Sequence, residues 1–183
     1  MDKHDVNVVG AMALALGDRI RAATEAAAGT TGALPAALVS LHEWASGRTV
    51  DTLAGALRLS HSRTVRVIDR LEAEGLARRE RDPADGRSVL VHLTPAGERA
   101  GAAVGEARMA ALEEALAGLG PGDLRSLAGS AEQVLAALTS GRRSARANCR
   151  LCEAHACGHY DGRCPVTRAA DAAELAAAQS GGG

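Results

Sequence analysis

The stretch Val50–Pro95, VDTLAGALRLSHSRTVRVIDRLEAEGLARRERDPADGRSVLVHLTP, decides the fold. A short helix is predicted for Val50–Leu57, and after a turn Ser60 provides a hydroxyl that suits the N-cap of a second helix. In this second helix, predicted for His61–Glu74, apolar residues recur at helical spacing on one side and arginines occupy the other side. Two helices arranged in this way are typical of a helix-turn-helix that inserts its second helix into the DNA major groove.

The second helix is predicted to have one buried face and one face that reads DNA. Val65, Ile68 and Leu71 point inward, with Thr64 beside them. Arginines at i, i+3 and i+7 share the outward stripe. The predicted DNA-binding residues, including one from the segment that follows, are Ser60, Ser62, Arg63, Thr64, Arg66, Arg70 and Arg87.

A β-hairpin is predicted directly after the second helix. Gly75 suits the C′ position that ends a helix. Two β-like runs, Leu76–Glu80 and Ser88–Leu93, flank DPADGR, in which Asp-Pro and Asp-Gly are turn signals. A hairpin in this position is a wing, and Arg87 near its tip is placed to enter a narrow, electronegative minor groove. Asp85 is predicted to support the wing by holding Arg87 in position.

The segment LSHSRTVRVIDRLEAEGLARRERDPADGRSVLVHLTPAG resembles the winged-helix signature of the MarR family of bacterial transcriptional regulators. The resemblance lies in the RLEAEGL helix end, the D-P-x-D-G-R wing and the L-T-P-x-G exit, and its specific part covers Leu34–Arg99. It implies a homodimer that binds a pseudo-palindromic operator in double-stranded DNA and often releases it on meeting a small-molecule effector or an oxidant. The alternative is a winged helix used only for protein contacts, against which the three arginines of the groove face argue.

Composition favours a helical, mainly α protein with a small β wing. The 183 residues include one Trp, one Tyr and no Phe, so that the core must consist of Ala, Leu and Val. The net charge is −1, but the region Arg48–Arg99 has an excess of arginine over acidic residues, which is sufficient for phosphate contacts on a defined face. No nucleophile-elbow, Walker, zinc-protease or dinucleotide-binding motif is present, and the sequence gives no argument for an enzyme.

The N-terminal region is predicted to form two helices. Val6, Val9, Ala13, Leu16 and Ile20 follow the spacing of one amphipathic face, in a helix that ends near Gly29. The apolar run is too short to span a membrane and lacks the positive flank of a signal peptide, so we expect a soluble, cytoplasmic protein with no membrane partner. A second helix is predicted to begin at Leu34 and to reach Ala45. Trp44 is predicted to be a core anchor at its end, and a ligand-stacking role is the alternative.

Two further helices are predicted after the wing. Thr94-Pro95 provides an N-cap and a first-turn proline for a helix that runs to Leu119, and Asp123 begins a helix that runs to Thr139. Both carry apolar stripes that a compact winged helix cannot cover, as does the N-terminal helix. We therefore predict that N- and C-terminal helices dimerise with those of a second copy.

Four cysteines lie within the 16 residues CRLCEAHACGHYDGRC, and they are the only cysteines of the chain: Cys149, Cys152, Cys157 and Cys164. The spacing resembles that of a zinc knuckle, with a longer final gap and a cysteine in place of the usual histidine. Four thiolates suit tetrahedral Zn²⁺, and His155 or His159 can replace one of them. An iron–sulfur cluster and a metal-free thiol–disulfide switch are the alternatives.

The sequence thus predicts five regions. They are an N-terminal dimerisation helix with helix 2 (1–47), the winged core (48–94), C-terminal dimerisation helices (95–140), a linker with the four-cysteine loop (141–168) and an Ala-rich tail (169–183) whose glycine end is disordered. The predicted function is a transcriptional repressor modulated by a small ligand, a metal or a redox signal. A thiol or metal redox protein whose winged helix serves protein docking is the alternative, and the cysteine loop is either a sensor or a structural cap.

Overall fold

The computed structural model describes residues 1–180, and in this part of the chain it confirms a mainly α fold with a small β wing. The elements follow one another as α1 (Lys3–Ala28), α2 (Leu34–Ser40), a π-helical turn (Leu41–Ala45), β1 (Arg48–Thr49), α3 (Val50–Leu57), α4 (His61–Ala73), β2 (Ala77–Arg81), β3 (Val89–Leu93), α5 (Pro95–Leu116), α6 (Pro121–Ala137), α7 (Arg142–Asn148) and α8 (Pro165–Ser180). The helix that was predicted to run from Leu34 to Ala45 therefore changes to π-helical geometry halfway along.

Local capping sets the bounds of the helix-turn-helix. Ser60 is the N-cap of α4, and its hydroxyl accepts the backbone N–H of Arg63 at 3.4 Å, as the sequence predicts. Arg58 adopts a left-handed conformation with φ of 54° and ends α3. Gly75 has φ of 68°, which a residue with a side chain rarely adopts, and this explains why the chain turns from α4 into the wing at a glycine.

The wing is a three-stranded antiparallel sheet in the order β1-β3-β2. The hairpin register pairs Ala77 with Leu93 at one end and Arg81 with Val89 at the other, close to the predicted runs. The third strand was not predicted. It consists of Arg48 and Thr49 only, which pair with Val91 and Leu90, and two residues are too few for a periodic signal.

The core joins the helix-turn-helix to α2, α5 and the wing. Its fully buried large side chains include Leu38, Leu41, Leu53, Ile68, Leu71, Val91 and Val104. Helix α5 approaches this core through two glycines. A Cβ at Gly97 would lie 1.9 Å from the carbonyl oxygen of Leu76, and a Cβ at Gly101 would lie 2.7 Å from the Cβ of His42.

The terminal helices leave apolar side chains exposed. Helix α1 packs along α5. Helix α5 ends at Leu116 instead of the predicted Leu119, and α6 begins at Pro121 instead of the predicted Asp123. Helix α6 has no buried residue in this single chain. The large apolar side chains that α1, α6 and the residues beside α6 leave exposed include Val6, Val9, Leu14, Leu119, Leu124, Val134 and Leu138. These faces are available for a second copy.

The C-terminal region is more ordered than the sequence predicts. Residues 142–148, predicted as part of a linker, form α7, because Ala145 and Ala147 bury their methyl groups and α7 packs on α3. The predicted Ala-rich tail forms most of α8, which begins at Pro165, ahead of the predicted start of the tail at residue 169. The predicted disorder of the final glycines concerns residues outside the described part. None of the helices within residues 1–180 combines the length and the apolar character needed to cross a membrane.

Candidate nucleic-acid interface and thiol cluster

The outward face of α4 presents exposed guanidinium groups. Arg63, Arg66 and Arg70 are all exposed on this helix. Arg70 donates from Nε to Oε1 of Glu74 at 2.8 Å, whereas Arg63 and Arg66 have no ion pair within residues 1–180. A face with free guanidinium groups matches the bidentate acceptors that guanine presents in the major groove.

Of the three hydroxyl residues at the start of α4, Ser60 and Ser62 are exposed and Thr64 is buried. The hydroxyls of Ser60 and Ser62 lie 3.3 Å apart and both residues are exposed. Thr64, predicted to contact DNA, is completely buried, and its hydroxyl donates to the carbonyl oxygen of Ser60 at 3.0 Å. That prediction was wrong for Thr64, because the helix turns this position into the core. Its role is to fix the first turn of the helix.

Arg79 connects α4 to the wing, and the sequence did not single it out. Its guanidinium donates to Oδ1 of Asp69 at 2.8 Å, to the carbonyl oxygen of Val65 at 3.3 Å and to the Glu72 carboxylate. Oε1 of Glu72 also accepts the backbone N–H of Arg79 at 2.8 Å. The strand sequence ARRER indicates an exposed basic strand. Only the packing of β2 beside α4 shows that Arg79 is the arginine that links the two elements.

The wing tip is organised by Asp85. Its carboxylate accepts the Ser88 hydroxyl at 2.8 Å and the backbone N–H of Arg87 at 3.1 Å. These two hydrogen bonds, the Ser88 bond first, hold the pKa of Asp85 below its ordinary value. The predicted support of the wing is therefore made through the backbone of Arg87 rather than through its guanidinium, which is exposed at the tip.

The four cysteines line one cavity of about 330 Å³ together with Trp44, although the first and the last are 15 positions apart in the chain. They form two interacting pairs, Cys149 with Cys152 and Cys157 with Cys164. A hydrogen bond from Cys149 lowers the pKa of Cys152 to about 6, and Arg108 and Arg150 act in the same direction. Burial raises the pKa of Cys157 to about 11, and the bond to Cys152 raises the pKa of Cys149.

The two histidines of the loop are already engaged. The ring of His155 lies 4.7 Å from that of Tyr160, and His159 is 5.1 Å from the same tyrosine. Nδ1 of His159 is hydrogen-bonded to the Thr167 hydroxyl at 2.9 Å. Within residues 1–180 no three His, Cys, Asp or Glu side chains stand as a preformed metal-ligand set, so that metal binding by the cysteines requires their side chains to rotate.

A second cavity, of about 490 Å³, lies between the N-terminal helices and the cysteine loop. Ile20 and Pro35 contribute apolar surface, while Arg108 and Arg150 contribute positive charge. Its size falls within the usual range for small-molecule sites. Of the residues that line this cavity, Cys152 alone was predicted from sequence as part of a binding site, because α1, α2, α5 and the cysteine loop are distant in the chain.

Comparison with known proteins identifies the winged region. Residues 36–89 match the sequence model of the MarR family. A segment of 51 residues is 45% identical to the uncharacterised HTH-type transcriptional regulator YsmB of Bacillus subtilis; the match covers 28% of this chain and 35%, or about a third, of that relative.

The structural likeness extends beyond the winged region. A probable transcriptional regulator from Pseudomonas aeruginosa is 28% identical with a TM-score of 0.56, and the alignment covers 69% of this chain and 96% of that one. CouR from Rhodococcus jostii RHA1, solved bound to p-coumaroyl-CoA, shares the fold at 24% identity and a TM-score of 0.56, over 69% of this chain and 90% of that one.

Proposed function

The chain belongs to the MarR family of winged-helix transcriptional regulators, and we propose that it is a repressor that binds a pseudo-palindromic DNA operator as a homodimer. The observation that carries the proposal is the exposed arginine face of α4, flanked by the exposed Arg87 of the wing. Guanidinium groups on α4 suit direct contacts with guanine in the major groove, and Arg87 suits a narrow minor groove.

The exposed apolar faces of the terminal helices support the dimer. Val134 and Leu138 are 57% and 65% exposed, which is costly for side chains of this size unless a partner covers them. A second copy is the expected occupant, since a two-fold dimer places two recognition helices in successive major grooves about 34–36 Å apart. The operator is then two inverted half-sites one helical turn apart.

Small-molecule control is proposed for the cavity of about 490 Å³. It lies between α1, α2 and α5 on one side and Arg150 to Cys152 on the other, so that an occupant contacts both the terminal helices and the segment that docks on the winged core. The complex of CouR with p-coumaroyl-CoA offers a precedent for a small-molecule effector in a protein of this fold. The redox-protein alternative has no comparable support, because the family and the fold are those of regulators.

The experiment is selection of a binding site from random duplex DNA with the full-length protein, followed by footprinting of the selected site. We expect an inverted repeat, protection of both half-sites, and two chains per duplex in sedimentation. A selected sequence without symmetry, or binding by one chain, contradicts the dimeric repressor. Failure to enrich any sequence, with weak binding to all duplexes alike, contradicts operator recognition itself.

The matched control compares two exposed arginines. Arg63→Ala removes a guanidinium from the proposed groove face, whereas Arg99→Ala removes one from α5, outside the helix-turn-helix. Reporter transcription from the selected operator should rise in cells that carry the first variant and stay repressed with the second. Equal repression by both variants argues against the assignment of the α4 face.

A further inference from the structure

The segment that contains the cysteines (residues 142–180) is held against α2 and the π-helical turn by hydrogen bonds between residues more than 100 positions apart. The Ser40 hydroxyl donates to the carbonyl oxygen of Arg150 at 3.0 Å. The backbone N–H of Ala154 donates to Oε2 of Glu43 at 2.8 Å, and the Tyr160 hydroxyl donates to the carbonyl oxygen of Glu43 at 3.1 Å. The segment thus holds both the end of α2 and the π-helical turn.

The same segment also contacts the first helix of the helix-turn-helix. Helix α7 packs on α3, and the guanidinium of Arg58 at the end of α3 lies 3.4 Å from Oδ1 of Asn148. Cys149 follows Asn148 directly, at the C-cap of α7. The first cysteine of the cluster is therefore one residue from a contact with the DNA-binding unit.

Apolar packing within the segment is small. Its own buried cluster consists of Ala145, Cys164, Val166 and Ala170, with Cys149 and Cys157 packed against it. Three of these are alanine or valine, whose burial contributes little free energy compared with the conformational entropy of about 40 ordered residues. A metal cross-link would therefore contribute much of the free energy that keeps this segment folded.

The backbone between Cys157 and Cys164 turns back, so that the second cysteine pair lines the same cavity as the first. Gly158 and Gly162 have φ of 70° and 69°, and a Cβ at Gly158 would lie 2.9 Å from the Cβ of Arg163. The positive φ values favour glycine at both positions, and between them the chain reverses, so that Cys157 and Cys164 line the same cavity as Cys149 and Cys152. All four cysteines therefore line one cavity, although the described residues do not form a preformed ligand set.

We propose that Cys149, Cys152, Cys157 and Cys164 bind one Zn²⁺ ion per chain, and that this metal fastens α7, the cysteine loop and α8 to the winged core. Four thiolates form a tetrahedral donor set, for which Zn²⁺ is the best-suited common divalent ion. Each pair contributes two sulfurs, and all four cysteines already line one cavity. The ion displaces the thiol protons, and no electron is transferred.

The wall of this cavity also fits a thiolate cluster. Nε1 of Trp44 is buried and has no hydrogen-bond partner among the described residues. An N–H donor that is left unpaired in a half-buried site is costly, and zinc-bound thiolates accept hydrogen bonds from neighbouring donors. Trp44, the single tryptophan of the chain, lines the same cavity as the cysteines and thus provides a spectroscopic probe of the site.

The test measures metal binding by the full-length protein directly. We expect about one zinc per chain by elemental analysis of protein purified anaerobically without added chelator. After removal of the metal, Co²⁺ alone should give the strong visible and near-ultraviolet absorption of tetrahedral cobalt thiolate, with quenching of Trp44 fluorescence at the same stoichiometry. Excess Zn²⁺ should abolish the cobalt bands, and metal removal should speed hydrogen exchange in residues 142–180 more than in α4.

Variants separate the proposed ligands from their neighbours. Cys152→Ser and Cys164→Ser should each weaken Co²⁺ binding by more than about tenfold. Loss of a residue that hydrogen-bonds a metal ligand already lowers metal affinity by about this factor, and loss of the ligand itself lowers it at least as much. His159→Gln, which alters a residue that lines the same cavity, is the matched control and should leave the cobalt spectrum unchanged. If His159→Gln loses Co²⁺ binding, the ligand set includes a histidine, and the proposal of four sulfur ligands is wrong.

Three other outcomes also overturn it. A brown protein with acid-labile sulfide indicates an iron–sulfur cluster, and two disulfides in the protein as isolated indicate a redox pair. Four thiols that are freely alkylated in protein that takes up neither zinc nor cobalt show that no metal site exists. All these measurements are made without DNA, so their results do not depend on whether the proposed operator binding is correct.

Discussion

The backbone N–H of Ala154 donates to the carboxylate of Glu43 at 2.8 Å, across 111 positions of the chain. Glu43 lies in the π-helical turn between α2 and β1, and the carbonyl oxygen of the same residue accepts the Tyr160 hydroxyl. One residue just before the winged core is thus hydrogen-bonded twice by the cysteine segment. These two hydrogen bonds connect the cysteine segment directly to the turn that precedes β1.

Glu43→Ala is expected to release the cysteine segment from the winged core. The half-buried N–H of Ala154 then lacks its acceptor, and a charge-assisted hydrogen bond of this kind contributes about 1.5–3 kcal/mol. Limited proteolysis should cut within residues 141–180 faster than in the unchanged protein, while α4 stays protected. Glu132→Ala, at an exposed position of α6, is the control, and equal cleavage of both variants argues that this hydrogen bond does not hold the segment.

Arg66→Ala should weaken binding to the selected operator by about 1–3 kcal/mol if its guanidinium makes a bidentate contact with a guanine. Fluorescence anisotropy at fixed salt measures this loss, which should be larger for the operator than for random duplex. A uniform loss on both duplexes shows instead that Arg66 contacts only phosphate.

Arg87→Ala should act differently, because the wing arginine contributes mainly through charge. The slope of log K against log salt should fall by about 1, with a smaller effect on discrimination between sequences. Anisotropy titrations at several salt concentrations provide the slope. An unchanged slope places the wing tip away from the DNA backbone.

The order of the wing tip should depend on the ionisation of Asp85. Because the folded protein lowers the pKa of this carboxyl, the stabilisation that its two hydrogen bonds provide is complete above the ordinary aspartate pKa of about 3.9 and is lost as the pH falls through the lower value in the folded protein. The amide resonances of Arg87 and Ser88 should titrate below pH 3.9, and Asp85→Asn should abolish this step. Titration of both amides at the ordinary aspartate value would contradict the assigned hydrogen bonds.

Val134→Arg should convert a dimer into a monomer without unfolding the chain. Val134 is exposed in the single chain, so the substitution causes no clash within it, but in a dimer an arginine would be buried among apolar side chains without a partner. Sedimentation equilibrium at micromolar concentration measures the mass. Glu132→Gln is the control on the same helix, and a wild-type protein that is already monomeric contradicts the dimer.

Gly97 and Gly105 provide a matched pair on α5. Gly97→Ala forces a methyl group to within 1.9 Å of the Leu76 carbonyl oxygen, so that α5 must move away from the wing, at a cost of about 1–3 kcal/mol or more. At Gly105 no atom lies within 4 Å of an added Cβ, and alanine should raise the free energy of unfolding by about 0.5–1 kcal/mol. Denaturant unfolding tests both, and opposite signs of the two changes are expected.

Local signals in the sequence were sufficient for the winged helix. Ser60, Gly75 and Thr94-Pro95 each mark a helix boundary through interactions that reach no further than four residues, and the structure has a boundary at each of them. The arginine stripe of α4 follows from helical periodicity alone in the same way. The spacing of the cysteines likewise indicated that they come together, since they are close in the chain and separated by glycines.

Only the tertiary structure decided which residues act across the chain. The two-residue strand β1 and the ion pairs of Arg79 depend on neighbours that no local pattern specifies. The same is true of α7, whose alanines become a packing surface only because α3 lies beside it, and of the contacts from the cysteine segment to Glu43. Sequence periodicity reports which side of an element is apolar, whereas the partner that covers this side is determined by the packing of the whole chain.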